Sequence, residues 1–407
     1  GLSAAMVLLV AFVSLAVLIY QQSGWNELPE SPGLYPLLHG LIAASMAAIL
    51  AADLFNLYVW LELMLMATLG LLTLGGRPRH HEAAFKYFSL SMLGTLVMLA
   101  AVGLIYGATG NLNLEVLAKL TRDPDLAGAL PTYLGLLLVA LLLKAGVFPL
   151  FAWLPAAYHT LPAPVLALVG GLSTKITVYI LLRLTGEVLD VSQLQEARGW
   201  LAVVTLLSGV LGAAYHWDLR RILAFHIVSQ IGYLLLGLAL AGQAGATATG
   251  FFLFHNILVK TNLFLIVGLM WLSMGHYDLR RAGGLFPARP VLAGLFLLSA
   301  FSLVGVPPTS GFWGKFLILQ EALNQGRWLW AGIALATGLL TLYSMSKIWL
   351  EGFWKPHPES SRPVRLPPAA YVAVISLSLV ILLVGLYPEP LISYLQHHTA
   401  AFGGLEG

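Results

Sequence analysis

The sequence contains no cysteine and few charged residues. Its 407 residues include no Cys, 21 Lys+Arg and 18 Asp+Glu, and the charged residues make up 10% of the chain. Without cysteine, disulfide bonds, thiolate metal sites and cysteine-ligated iron–sulfur clusters are excluded. A soluble globular domain carries about 25% charged residues, so that class is excluded as well. The formal net charge of +3 is too small and too dispersed to indicate a nucleic-acid partner.

The chain is rich in long apolar stretches instead. Apolar residues make up 59% of the sequence, and the mean hydropathy is +0.85. About 20 consecutive apolar residues span a bilayer as a helix. Twelve such stretches lie near 2–20, 34–53, 55–75, 86–107, 132–150, 162–183, 199–216, 221–242, 247–274, 290–323, 328–350 and 369–388. We therefore predict an all-α polytopic membrane protein with about twelve transmembrane helices.

Two of these stretches contain residues that break helices. The fifth stretch ends at Pro149, and the tenth contains Pro307, Pro308 and Gly311. Proline removes a backbone donor and clashes with the preceding turn. Broken helices survive inside a membrane where they are buried in protein or line a watery cavity. We predict broken helices at both positions and expect each of them to line an ion path.

The basic residues of the loops predict the orientation in the bilayer. Cytoplasmic loops carry an excess of Lys and Arg. One set of alternate loops holds ten of these residues, and the opposite set holds five. The richer set includes Arg79 and Arg221 and is predicted to face the cytoplasm. With twelve spans, both ends of the given sequence lie on the outer side.

The basic residues that remain inside the apolar stretches are all lysines. They are Lys86, Lys144, Lys175, Lys260, Lys315 and Lys347. Ionisable groups inside a membrane are unfavourable and mark ion paths. Lysine can release its proton when it is desolvated, whereas arginine stays charged. This selection predicts a proton relay. Lys86 and Lys347 lie near span ends, where a lysine side chain can extend to the membrane interface instead of taking part in a relay. Lys347 is nevertheless retained as a possible end of the path.

Acidic and imidazole groups complete the candidate path. Glu62 lies in the middle of the third stretch, and we predict that it pairs with Lys144. His226 and His255 lie in two later stretches, where a histidine either passes a proton or simply hydrogen-bonds a neighbouring helix. Asp53, at a span boundary, is either a path end or a helix cap. We find no haem, flavin, nicotinamide or phosphate-binding motif and no metal-ligand set, so we expect neither a cofactor nor a catalytic residue.

The lysine spacing indicates an internal repeat. The interval from Lys144 to Lys175 is only one position shorter than the interval from Lys315 to Lys347, so the second pair repeats the spacing of the first. An odd number of helices per repeat inverts the second copy in the membrane. The predicted units are an N-terminal helix and loop at 1–33, a five-helix repeat at 34–183, an inverted five-helix repeat at 199–350, and a loop and C-terminal helix at 351–407.

Motifs along nearly the whole chain match one known family. They include Leu-Lys144-Ala-Gly-Val-Phe-Pro149, Pro162-Ala-Pro164-Val, Asp218-Leu-Arg-Arg-Ile-Leu-Ala-Phe, Ser229-Gln-Ile-Gly-Tyr233, Val259-Lys260-Thr and Gly305-Val-Pro-Pro-Thr-Ser-Gly311-Phe. The sequence resembles the antiporter-like proton-translocating subunits of respiratory complex I, membrane-bound hydrogenases and Mrp-type multisubunit sodium/proton antiporters. Within that family it is most similar to the Mrp D type. The segments typical of that type are Asp53-Leu-Phe-Asn-Leu-Tyr-Val-Trp-Leu-Glu62 and Phe225-His226-Ile-Val-Ser-Gln.

The resemblance implies a fold and a set of path residues. It implies fourteen helices in two inverted five-helix repeats, with the twelve stretches corresponding to the third to the fourteenth helix, so two upstream helices are expected to be missing. The residues that match the family's proton path are Glu62, Lys144, Lys175, His255, Lys260 and Lys315.

The resemblance also implies a function and partners. It implies a proton-translocating subunit, not an enzyme, of a multisubunit sodium/proton antiporter in the inner (plasma) membrane of a prokaryote. The implied partners are other membrane subunits, the lipid bilayer, protons and sodium. The alternative is a proton-pumping subunit of a redox-driven complex of the hydrogenase or complex I type. A purely structural scaffold is a third interpretation, and the lysines inside the membrane argue against it.

Overall fold

The computed structural model describes residues 1–23, 31–121, 129–189, 192–240, 242–356 and 366–400. Its regular structure over these ranges is helical. The helices are α1 (Leu2–Gln21), α2 (Leu34–Leu50), α3 (Leu54–Thr73), α4 (Pro78–Thr109), α5 (Leu114–Leu120), α6 (Leu130–Ala145), α7 (Trp153–Tyr158), α8 (Ala163–Leu168), α9 (Thr174–Glu187), α10 (Gln195–Tyr215), α11 (Leu219–Ala239), α12 (Gly242–Met274), α13 (Leu285–Ala288), α14 (Pro290–Val304), α15 (Ser310–Asn324), α16 (Trp328–Ile348), α17 (Pro368–Leu386) and α18 (Glu389–Thr399).

About half of the described helical segments are long and apolar enough to cross a bilayer by themselves. Within the described residues, nine helical segments meet both conditions, and α6 with the bent segment that follows it makes a tenth. The shorter α2 and the broken pair α14–α15 coincide with the two remaining predicted stretches. Each of the twelve stretches thus contains a helix. The predicted all-α membrane fold is confirmed, and the chain is a multi-pass membrane protein.

Side-chain caps begin several helices. Asp53 accepts hydrogen bonds from the backbone N–H groups of Phe55 and Asn56 at the start of α3. Asp218 accepts one from the backbone N–H of Arg221 at the start of α11. These caps satisfy donors that the first turn of a helix leaves unpaired. We predicted either a path end or a helix cap for Asp53, and its contacts are those of a helix cap.

Each of the two capping residues also forms a backbone bridge with a residue 60 positions later in the chain. Asp53 forms an isolated bridge with Asn113, and Asp218 forms another with Asp278. The step along the chain from Asp53 to Asp218 equals the step from Asn113 to Asp278. Five spans separate the first bridge from the second, and an odd number of antiparallel spans places the two bridges at opposite ends of the bundle. The repeated contact supports the two inverted five-helix repeats that the lysine spacing predicts.

The fifth span is broken next to a lysine. α6 ends at Ala145, Gly146 takes a left-handed φ of 78°, and Pro149 lies in the break. The helix axis bends by 40° before helical structure resumes over Leu150–Tyr158. Glycine suits the left-handed cap because it has no Cβ. Lys144 is in the last turn of α6, where the negative end of the helix dipole favours a cation.

The tenth span is broken in the same manner. Gly305 follows the end of α14 with a φ of 92°, and Pro307 and Pro308 lie between α14 and α15. Each broken span therefore has a left-handed glycine followed by proline. The break exposes backbone carbonyl groups inside the bundle, where polar side chains can reach them.

The position of Gly311 corrects a prediction. We expected this glycine in the break, but it lies in the first turn of α15. A Cβ at Gly311 would collide with the backbone oxygen of Ser302 and would crowd the ring of His255. Gly311 therefore allows α15 to pack closely against α14 and α12, which is a packing role and not a break.

α12 runs through the centre of the bundle. In its most apolar window 83% of the residues are buried, compared with 39% in α4 and α17. A helix that is buried on all sides must satisfy its polar side chains within the protein. The fully buried polar residues of α12 include His255, Asn256, Lys260, Thr261 and Asn262.

Candidate proton path

A carboxylate, a hydroxyl and an ammonium group form a connected chain near the first break. Lys144 Nζ donates to Thr95 Oγ1 at 2.9 Å. Thr95 Oγ1 in turn donates to Glu62 Oε2 at 2.7 Å. The direct distance from Lys144 Nζ to Glu62 Oε2 is 3.9 Å, and the two side chains are 8% and 18% exposed. The predicted pairing of Glu62 with Lys144 is present in the structure, with Thr95 as its bridge.

Thr95 is a path residue that the sequence analysis missed. It lies in the middle of α4 and is buried. A single threonine in an apolar helix has no sequence feature that separates it from the many threonines that bond their own helix backbone. Its position between two charged groups arises only from the packing of α3, α4 and α6.

A small cavity extends from Lys144 towards α9. It has a volume of about 40 Å³ and is lined by Lys144, Tyr158, Ser173 and Thr177, among others. A polar space of this size is large enough for one water-sized group. The hydroxyl groups of Tyr158 and Ser173 are buried and have no hydrogen-bond partner among the described residues. The cavity therefore joins Lys144 to the helical segment that carries Lys175.

Lys175 is buried in the first turn of α9, directly after a π-helical segment. Its side chain is fully inaccessible, and its Nζ donates to the backbone oxygen of Gly170 at 2.6 Å. Gly170 belongs to the π-helical segment Val169–Ser173. Such segments leave carbonyl groups free to accept from side chains, which explains how the buried ammonium group is satisfied.

Lys260 occupies the centre of the candidate path. It is fully inaccessible on α12, and its Nζ donates to the backbone oxygen of Leu223 at 3.3 Å. It lies within electrostatic range of both Lys175 and Lys315. A positive charge at Lys260 is therefore affected by the charge of a lysine on either side.

Lys315 reaches the second break from the C-terminal half of the span. Its Nζ donates to the backbone oxygen of Val304 at 2.8 Å, which is the last residue of α14. The ammonium group also lies 4.6 Å from the ring centre of Tyr233. The negative end of the α14 dipole and the face of the aromatic ring both favour a cation at this point.

His255 connects the centre of the path to the second break. Its Nδ1 is 2.9 Å from Ser310 Oγ, and Ser310 Oγ is 3.2 Å from Ser302 Oγ. The ring lies within electrostatic range of Lys315 and Lys260. Its Nε2 atom is buried and has no hydrogen-bond partner within the described ranges. His255 thus keeps one ring nitrogen available between two lysines.

His226 hydrogen-bonds a neighbouring helix, which is one of the two roles predicted for it. The nearby Tyr233 hydroxyl donates to the backbone oxygen of Ala334 at 2.5 Å. His226 Nε2 is 3.0 Å from Ser344 Oγ on α16. The ring remains within electrostatic range of Lys260. His226 therefore lies beside the path, on its α16 side.

Two other lysines of the apolar stretches have structural partners. Lys347 Nζ donates to the backbone oxygens of Ala214 at 2.7 Å and His216 at 2.6 Å, so it caps the end of α10. Lys86 is exposed and pairs with Glu82 one turn earlier on α4. The structure does not bring Lys86 into the buried set, and the contacts of Lys347 are those of a helix cap.

The titratable groups within the described ranges do not assemble into a metal site. No group of three or more His, Asp or Glu side chains that could hold a metal ion occurs in them. The arrangement around the path consists of ammonium, imidazole, hydroxyl and carbonyl groups with one carboxylate. Such groups exchange protons through hydrogen bonds and do not require a bound metal.

Comparison with known proteins identifies the family. The transmembrane family described as "NADH:quinone oxidoreductase/Mrp antiporter" matches residues 51–341. The chain belongs to this family. Within the NADH:quinone oxidoreductase/Mrp antiporter family, the D subunit of the Na(+)/H(+) antiporter of Alkalihalophilus pseudofirmus is 35% identical over 393 residues, which cover 96% of this chain and 80% of that protein.

Solved structures of the family have the same fold. A chain of the Mrp complex from Dietzia sp. DQ12-45-1b gives a TM-score of 0.90 at 33% identity, over 98% of this chain and 83% of that chain. A chain of respiratory complex I from Thermus thermophilus gives 0.80 at 29% identity, over 97% and 86%. The fold is thus shared by the antiporter and redox branches of the family, and the resemblance found in the sequence is confirmed.

Proposed function

We propose that the chain is the proton-translocating subunit of a multisubunit sodium/proton antiporter of the Mrp type and acts as a transport subunit without catalytic residues. Its partners are the other membrane subunits of that complex in the plasma membrane, and its substrates are protons exchanged against sodium. The proposed path consists of Glu62, Lys144, Lys175, His255, Lys260 and Lys315. His226 lies beside it, and Lys347 and Asp53, which have the contacts of helix caps, are left outside it.

The link from Lys144 through Thr95 to Glu62 carries this proposal. It joins a proton donor to a carboxylate by two hydrogen bonds of ordinary length. A chain of hydrogen bonds between groups that can change their protonation state is what proton transfer requires. The link lies beside the broken end of α6, where the backbone departs from helix inside the bundle.

Electrostatic interaction between neighbouring lysines supplies the coupling in this proposal. Lys260 responds to the charges of Lys175 and Lys315 because all three are buried and Lys260 lies within electrostatic range of both. Arrival of a proton at one lysine therefore disfavours a charge at the next, and its departure restores the balance. In the first half, Glu62 provides the opposite charge that holds a proton at Lys144 until that carboxylate is neutralised.

A redox-driven complex is the second candidate. The observation that favours it is the similarity to complex I of Thermus thermophilus over 97% of the chain. The same path would then carry protons outward, driven by electron transfer in other subunits. The antiporter interpretation is preferred because two relatives named as D subunits of sodium/proton antiporters match at 35% and 32% identity over at least 91% of the chain.

The test is sodium-dependent proton flux in inverted membrane vesicles. The vesicles come from cells that lack other antiporters and that express this chain with its native partner subunits. Respiration acidifies the interior, and sodium is then added while a pH-sensitive dye reports the gradient. Lys144→Ala and Glu62→Ala are compared with Lys119→Ala, an exposed lysine on α5 whose side chain is 74% accessible.

We expect sodium to collapse the gradient with the wild type and with Lys119→Ala. Lys144→Ala and Glu62→Ala should abolish the exchange while the complex still assembles. Full exchange in both variants would contradict the path. No sodium response in the wild type, together with proton pumping after addition of an electron donor, would favour the redox-driven alternative.

A further inference from the structure

A large open cavity lies outside the path, at the end of the bundle that the basic loops predict to be cytoplasmic. Its volume is about 530 Å³. The start of α4, the segment around α7, the connection between α10 and α11 and the start of α11 form its walls. The volume is in the range of sites that bind small molecules and headgroups. The proposed proton path uses none of its lining residues.

The cavity carries an excess of positive charge. Arg79, Lys86 and Arg221 line it, and Glu82 is the acidic residue of the lining. Glu82 pairs with Lys86, so these two charges offset each other. Arg79 and Arg221 remain without a carboxylate partner among the described residues. Two guanidinium groups in a shared concave surface form a site for a phosphate group, which they bind through paired N–H donors.

One of the two guanidinium groups is held in place by a neutral histidine. Arg221 donates through its side chain to His159 Nε2 at 3.1 Å. His159 Nδ1 lies 3.0 Å from the backbone oxygen of Pro155, to which it donates. Burial and the charge of Arg221 lower the pKa of His159 to about 4, so the ring is neutral and accepts from Arg221. The contact orients Arg221 without neutralising it.

Apolar side chains lie exposed next to the charged cavity. Phe151 and Phe225 line it with their rings in edge-to-face contact, 6.4 Å between centres. Phe148 stacks on Phe151 and is 39% exposed, and Leu150 is 37% exposed. Phe85, next to Lys86 on α4, is 71% exposed. A free anion would have no use for these surfaces, whereas acyl chains pack against them.

We propose that this cavity binds the phosphate headgroup of an anionic phospholipid from the cytoplasmic leaflet. Arg79 and Arg221 bind the phosphate, and the acyl chains lie along Phe85, Phe148 and Leu150. Basic pockets between transmembrane helices on the cytoplasmic side select anionic lipids in this way. The bound lipid packs against the segment that follows the first break, and thereby supports the bent end of the span that carries Lys144.

The first experiment measures the phospholipid that remains with the intact complex. The complex is purified in a mild detergent through a tag on another subunit, and its lipids are quantified by mass spectrometry. The double variant Arg79→Gln/Arg221→Gln is compared with wild type and with Arg77→Gln, an exposed arginine at the start of α4 that does not line the cavity. We expect the double variant to lose about one anionic phospholipid per complex, with zwitterionic lipid unchanged.

The second experiment separates a lipid headgroup from free phosphate. Delipidated complex is mixed either with phosphatidylglycerol vesicles or with inorganic phosphate, and its melting temperature is measured. Phosphatidylglycerol should raise the melting temperature of the wild type and of Arg77→Gln but not of the double variant, and inorganic phosphate should have no effect. An equal shift with inorganic phosphate would overturn the proposal in favour of a free-anion site.

Two further results would also overturn it. One is an unchanged content of anionic phospholipid in the double variant. The other is loss of a neighbouring subunit from the purified double variant at unchanged lipid content, which would mean that a protein partner fills the cavity. Neither result depends on sodium-dependent exchange, so the outcome is independent of the proposed transport function.

Discussion

The two halves of the candidate path compensate buried charge in different ways. In the first half, Lys144 has a carboxylate at 3.9 Å and a bridging hydroxyl. In the second half of the path, Lys175, Lys260 and Lys315 donate to backbone carbonyl groups, and none of the three forms an ion pair with the described residues. Carbonyl dipoles stabilise a buried ammonium group less than a carboxylate does. A positive charge is therefore better compensated at Lys144 than at the other buried lysines of the path.

This difference suggests separate tasks for the two halves. A well-compensated site can hold a proton until its counter-charge changes, which suits a gate at Lys144 and Glu62. Sites that share one interior without carboxylates repel one another when charged, which suits rapid passage of a single proton. The gate lies on helices near the periphery, where Glu62 is 18% exposed and accessible to a neighbouring subunit. The passage lies on the central, fully buried α12.

The strongest test of this division is removal of the central lysine. Lys260→Met keeps the side-chain volume and removes the group that lies between Lys175 and Lys315. We expect sodium-dependent exchange to fall by about 100-fold or more, since a positioned proton carrier contributes at least that factor. Assembly should be unaffected, because an apolar side chain at a buried site leaves no uncompensated charge.

The measurement is the vesicle assay together with the subunit composition of the purified complex. Lys119→Met, at the exposed end of α5, is the matched control and should retain full exchange. If Lys260→Met transports like the wild type, protons do not pass through the second half, and the contrast between gate and passage disappears.

The gate is tested by removing its counter-charge. Glu62→Gln preserves an acceptor for Thr95 but leaves Lys144 without a carboxylate. Exchange should fall by about 10- to 100-fold, and unfolding should become easier by about 1–3 kcal/mol, a range reduced because both side chains keep some exposure. The double variant Glu62→Gln/Lys144→Gln should recover thermal stability without recovering exchange. Equal stability of the single and double variants would show that the pair is not electrostatically coupled.

A smaller effect is expected from the bridge between the two charges. Thr95→Val keeps the shape of the side chain and removes both hydrogen bonds. A net contribution of about 0.5–0.7 kcal/mol from each of the two hydrogen bonds, at the low end of the usual range, corresponds to exchange that is about five- to tenfold slower. Thr95→Ser keeps the hydroxyl and should restore the wild-type rate in the same vesicle assay. A slow Thr95→Ser variant would indicate a packing role for the threonine methyl group.

The sequence predicted the features that depend on composition and on single residues. Lysine in an apolar stretch is unfavourable wherever it occurs, so Lys175 and Lys260 could be recognised without a structure. Proline limits the backbone in any context, so the breaks at Pro149 and Pro308 could be placed as well. Thr95 and Ser344 could not be found, because their roles depend on contacts with helices that are distant in the chain.

The lysine spacing predicts the repeat by an indirect route. Lys144 precedes the glycine of its break, whereas Lys315 follows the glycine of its own. The two lysines therefore do not occupy equivalent positions in the chain. Their ammonium groups nevertheless both lie at the broken end of a half-helix, because the Lys315 side chain extends back to Val304. The caps Asp53 and Asp218 support the predicted repeat more directly, because their bridge partners are displaced along the chain by the same step.

The smallest expected effect concerns Arg221, a cation outside the membrane spans whose hydrogen-bond partner is the neutral ring of His159. His159 accepts from Arg221 as a neutral ring, and burial together with the charge of Arg221 lowers its pKa from 6.5 to about 4. Between these two values the unfolded chain binds a proton at this position and the folded chain does not. Stability is therefore complete above about pH 6.5 and decreases as the pH falls towards 4.

The pH dependence can be isolated with one variant. For a partly exposed group we expect the loss to reach about 2 kcal/mol or less across that interval. His159→Gln offers an amide oxygen to Arg221 and cannot take up a proton, so the melting temperature of the purified complex should fall less between pH 7 and pH 5 than in the wild type. His81→Gln, on the exposed start of α4, controls for the loss of a histidine. Equal pH profiles of His159→Gln and wild type would mean that His159 is charged when it contacts Arg221, and that a neutral acceptor is not what orients this guanidinium group.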